Sequence, residues 1–166
     1  MSLTPTQKTA VRRAIADYCT RAEAHQLAWH YTQARPFHGF NVAPEQPHAN
    51  DCSGYVSLAY DWAMHHTKVY LEDPLGYNYS GWGYTGTEVH WLDRHGTPVP
   101  VGRYLVGDIV VYGHTREGTH TAVCRKAGSD TTAVWSSNGS ERSPNPVKLH
   151  YHPDPIVGCW RHPRLA

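Results

Sequence analysis

The chain has 166 residues, the size of one ordinary domain and enough to bury a real core. Apolar residues make up 40% and charged residues 17%, a balance that excludes a disordered chain. The net charge of +1, without a basic stripe, argues against nucleic acid as the main partner.

The N-terminal residues lack the apolar stretch of a secretory signal, and no segment is apolar for long enough to span a membrane. The expectation is a protein made without a signal and with no membrane partner. Cys19, Cys52, Cys124 and Cys159 form no CxxC pair, so free thiols are expected.

Taken along the chain, the first helix is announced by Thr4 as cap, Pro5 in the first turn and Gln7 as capping-box partner. Val11, Ile15, Tyr18 and Ala22 share one helical face, and the pattern predicts a helix running to about Trp29. Residues 33–50 are rich in Pro, Gly and Asn and read as a long loop, the kind of segment that carries function in compact domains. A second helix starts near Asp51–Cys52, with Val56, Ala59, Tyr60 and Ala63 as its stripe, and runs toward His65. Residues 71–92, dense in Gly and Tyr, read as an irregular surface loop. From Val106 the pattern turns to strands: GDIVVYG, HTAVCRK, TTAVWSSNG, VKLHY and IVGCWRH. Helices first and an antiparallel meander after define an α+β class, with residues 1–166 as a single domain.

Asn50-Asp51-Cys52-Ser53-Gly54 opens the second helix. There the dipole and free N–H groups favour a thiolate, and the Cys52 N–H faces the place where an oxyanion forms. On position alone, a buried structural cysteine explains Cys52 equally well. His120 stands at the head of a strand after a Gly-containing turn, where it projects into a cleft; a structural histidine is the competing account.

DCSG opening a helix, then GDIVVYG, then HTAV, in that order, resembles the NlpC/P60 cysteine peptidases, circularly permuted relatives of papain. The flavour is that of phage endolysin and other peptidoglycan peptidase domains, which the segments from Trp29 to Pro36, Gly81 to Gly86 and Ser137 to Glu141 also resemble. The resemblance implies N-terminal helices packed on a central antiparallel sheet, with Cys52 as nucleophile and His120 as base. It puts Asn138 in the third position, where a side-chain oxygen fixes the imidazole tautomer; a slip of one or two residues gives the role to Ser137 or Ser136. Tyr31 matches a tyrosine that helps hold the oxyanion. Asp51 and Ser53 match positions that contact a peptide amine, and Asp108 serves as a turn and strand-start device. The implied substrate is an amide bond of bacterial peptidoglycan stem peptides, cleaved without a metal or other cofactor. The implied setting is a phage endolysin or tail-associated lysin. Trp82, Tyr84 and Trp91 are candidates to rim the groove, with core packing as the alternative.

Two rivals stand beside this reading. A zinc site has His65, His66, His150, His152 and His162 to draw on, but no HExxH and no compact Cys/His quartet. A non-catalytic wall-binding or phage structural module could keep the same fold.

Overall fold

The computed structural model describes residues 2–166. Helix α1 spans Pro5–Ala24 and starts as the sequence expects: the Thr4 hydroxyl accepts from Gln7 N (3.2 Å) and the Gln7 side chain accepts from Thr4 N (2.9 Å). It buries Val11, Ile15, Tyr18, Cys19 and Ala22. It ends before the expected Trp29, because Trp29 belongs to strand β1 (Trp29–Tyr31). There its indole stacks on His48, with centroids 4.2 Å apart, and Nε1 donates to the Pro44 carbonyl at 2.9 Å.

Strand β2 (His48–Asn50) lies inside the segment expected to be all loop. It pairs in parallel with β1, setting Tyr31 opposite Asn50. Helix α2 (Cys52–Thr67) follows at once. Asp51 caps it by accepting from Gly54 N at 2.9 Å, and every residue from Cys52 to Ala63 is buried. A helix enclosed all round is the centre of a core rather than a surface element.

Helix α3 (Thr85–His95) corrects the expectation of an irregular loop over residues 71–92. Tyr84 enters extended, its N–H bonds the Thr87 hydroxyl at 3.0 Å, and Val89 and Leu92 reach the core. Only two apolar residues mark its inner face, too few to stand out among the neighbouring glycines and tyrosines.

The remaining strands are β3 (Thr97–Pro98), β4 (Ile109–Tyr112), β5 (His120–Lys126), β6 (Val134–Ser137), β7 (Asn145–Val147) and β8 (Ile156–Arg161). They form one antiparallel six-stranded sheet in the order β3-β8-β4-β5-β6-β7. The expected VKLHY strand is displaced: pairing ends at Val147, and Tyr151 N bonds Lys148 O in a turn. The α+β class holds, with three helices and this sheet.

Alternation divides the sheet into two faces. Ile109, Val111 and Val123 join the core shared with α1 and α2. Val110, Tyr112, Ala122, Cys124 and Trp135 form a second cluster on the opposite face. Asp108, fully buried before β4, accepts from Leu105 N and from Arg161 Nε, each at 2.8 Å, and so ties the strand start to β8. Gly107 before it sits at φ +89, with Ile15 and Leu165 closing on where a Cβ would be. Among the described residues no helix is long and apolar enough to cross a membrane.

Candidate active site

Cys52 is the first residue of α2 and is buried. Its sulfur lies against the backbone N–H of Thr121, the residue after His120, and 3.8 Å from Thr85 Oγ1. The fold therefore brings the thiol to the head of β5, where His120 is also buried. No hydrogen bond joins the sulfur to the imidazole among the described residues.

The His120 Nε2 atom is held by two hydroxyls, Ser137 Oγ at 2.8 Å and the Tyr151 phenol. Ser137 donates its own hydrogen to the Thr121 carbonyl at 3.1 Å, which leaves only lone pairs to offer the ring. Acceptance by Ser137 favours the tautomer with the proton on Nε2.

Asn138 does not take the third position. Its Nδ2 donates to Asn50 O (3.1 Å) and Asn50 Oδ1 (2.9 Å), and its Oδ1 accepts from Ser143. The reason is strand parity. Cys124 pairs with Trp135 on the face away from the helices, which puts Ser137 on the same face as His120. Ser136 and Asn138 fall on the helix side, where Ser136 bonds the Tyr55 hydroxyl at 2.7 Å. Asn138 thus braces the segment leading into Cys52, and Ser137 meets the imidazole.

Both members of the pair rest neutral. Burial, with Asp51 adding to it, pushes the Cys52 thiol up to about 12, against the dipole effect expected from its place on the helix. Burial, with His152 stacked 4.6 Å away, pushes His120 down to about 4.

Asp51 and Ser53 are occupied within the protein. Asp51 pairs with Arg35 at 2.7 Å and accepts from Ser53 Oγ at 3.0 Å, and Ser53 is wholly enclosed. Tyr31 is brought near Cys52 by the β1–β2 pairing that closes the long intervening loop. Burial raises its phenol, and its hydroxyl accepts from Gln33 at 3.4 Å.

A cleft of about 370 Å³ opens over Cys52 between Arg35, Asp51, Tyr84, Thr85 and Glu117. A smaller one of about 200 Å³ lies on the far side of His120, walled by Ser137, Asn145, Tyr151 and His152. Of the expected groove aromatics, Tyr84 alone lines the Cys52 cleft. Trp82 is exposed away from that lining. Trp91 packs on the core between His95 and His162, so the packing alternative holds for it.

Two residues escaped the sequence reading. Tyr151 lies far along the chain from His120 and looked like part of a strand. Glu88 looked like a loop residue, but α3 buries it completely beside the Thr121 hydroxyl, which itself donates to Val110 O. No group of three His, Cys, Asp or Glu side chains converges on a metal position among the described residues. No protein-family model matches this chain, and no curated protein gives a significant match.

Proposed function

We propose that the chain is a cysteine hydrolase of the permuted papain-like, NlpC/P60 type, cleaving amide bonds in the stem peptides of bacterial peptidoglycan. The observation that carries the reading is the meeting of Cys52, at the first turn of a buried helix, with the head of β5, where His120 is held at Nε2 by Ser137 and Tyr151. The residue motifs around both positions support the same class.

The chemistry follows from a neutral pair. As the sulfur attacks the amide carbonyl, the thiol proton passes to Nδ1 of His120. The oxyanion is received by the Cys52 N–H, which at the first helical position has no intrahelical partner, with the Tyr31 hydroxyl as second donor. The imidazolium then gives its proton to the leaving nitrogen as the C–N bond breaks. Water, deprotonated by the same nitrogen, attacks the thioester carbonyl, and the released thiolate recovers a proton. Asp51, tied to Arg35 and Ser53, forms part of the cleft wall and caps the helix. A phage endolysin or tail-associated lysin is the setting this reading implies.

Digestion of purified peptidoglycan with the wild type and with Cys52→Ala, products identified by mass spectrometry, tests the proposal. New muropeptides from the wild type alone are expected; identical products from both sink it.

One observation favours a second reading, a wall-binding or phage structural module: burial holds the thiol in its protonated form. Alkylation of Cys52 by iodoacetamide separates the two. A rate at pH 7 that falls in His120→Ala supports the hydrolase, and a rate indifferent to His120 supports the binding module.

A further inference from the structure

The connection between β7 and β8 reaches back over the sheet and places Tyr151 against the imidazole of His120, the ring centroids 6.0 Å apart and nearly perpendicular. We propose that Tyr151 is a positioning residue for His120: with Ser137 it holds the Nε2–H edge of the ring, so that Nδ1 stays unprotonated and available to Cys52. The proposal rests on the hydrolase reading of this site and names a residue that reading does not need.

Neighbouring rings and backbone restrict the imidazole. His152 stacks parallel to it, with 11° between the planes, and Tyr112 lies 6.0 Å away. At Gly139 a Cβ would stand 3.0 Å from His120 Cε1, so the backbone there leaves room for the ring and for nothing more. Rotation about the ring axis is the remaining freedom, and the groups at Nε2 oppose it.

Those groups also select the tautomer. The Ser137 hydroxyl reaches Thr121 O at 3.1 Å, and when it donates there it accepts from the ring. Tyr151 stays a neutral phenol, burial raising it to about 12, and Ser137 bears on its oxygen as well. A phenol that accepts from Nε2–H works with Ser137. A phenol that donated to Nε2 would put the ring hydrogen on Nδ1 and remove the base.

Tyr151→Phe keeps the ring and removes the hydroxyl. Two readouts need no substrate: the ¹⁵N shifts of the His120 ring at pH 7, and the rate of Cys52 alkylation followed by peptide mass spectrometry. The wild type should show the Nε2–H tautomer. In the variant the ring nitrogen shifts should move toward averaging of the two tautomers. Alkylation and hydrolysis should slow about 3- to 10-fold, the effect of losing one ordinary hydrogen bond. Unchanged shifts and an unchanged alkylation rate in the variant overturn the proposal. A variant that loses stability yet leaves the shifts unmoved also overturns it, because Tyr151 is then only packing. Should the variant fail to fold, the wild-type spectrum decides: Nε2–H supports the proposal and Nδ1–H overturns it. If the wild type cleaves no wall peptide while both substrate-free readouts respond, positioning stands and the hydrolase reading falls.

Discussion

Glu88 offers a test of the fold that is independent of any substrate. Its carboxyl is fully enclosed by α3 and the sheet, and burial pushes it well above its ordinary value of 4.5. Above the ordinary carboxylate range the folded protein therefore holds a proton there that the unfolded chain has released. Stability must fall as pH rises from about 5 toward the folded value, by about 1.4 kcal/mol per pH unit. Other buried groups act in different windows. His48, His120 and His162 are lowered from 6.5, so they favour the folded state as pH rises, but only below about that value. The buried thiols, raised from 9.0, oppose folding only in more alkaline solution. Between pH 7 and 8.5 the histidine contribution is absent, and Glu88 opposes folding for as long as the folded carboxyl keeps its proton. Urea unfolding of the wild type and of Glu88→Gln at half-unit steps across that window measures it. The wild type should lose stability more steeply than the variant as pH rises. Parallel curves for the two proteins would refute the assignment of a neutral buried acid.

The remaining predictions concern the site. Asn138→Ala removes two bonds to Asn50 and leaves buried polar groups there without a partner. It should cost about 1–3 kcal/mol in urea unfolding while Cys52 alkylation in the folded protein stays near the wild-type rate. A large loss of alkylation at full stability would instead restore Asn138 to the third position. The base works only when neutral, and His120 is held down to about 4. The acid limb of kcat/KM should therefore fall near pH 4, and activity should persist at pH 5; a limb near 6.5 would contradict the burial of the ring.

How far the residues alone carried the site depends on the range of the interactions involved. The Thr4–Gln7 capping box, the start of α2 after Asp51 and the apolar runs of β4, β5 and β8 are local patterns, and each became the element it announces. Helix α3 was hidden because Val89 and Leu92 are its fully buried apolar residues, and because the enclosed Glu88 reads as a surface residue. The partner of His120 turned on strand parity. Ser136, Ser137 and Asn138 are adjacent and chemically similar, and their side chains point to alternate faces of one sheet.

The chain order therefore announced Cys52 at a helix start, His120 at a strand start and an α+β arrangement, because caps and alternation act over a few residues. Register, burial and the β7–β8 connection assigned the rest: Ser137 and Tyr151 on the imidazole, Asn138 on Asn50, Arg35 on Asp51, and a thiol kept neutral. These contacts join residues far apart in sequence, and desolvation depends on everything packed around a group.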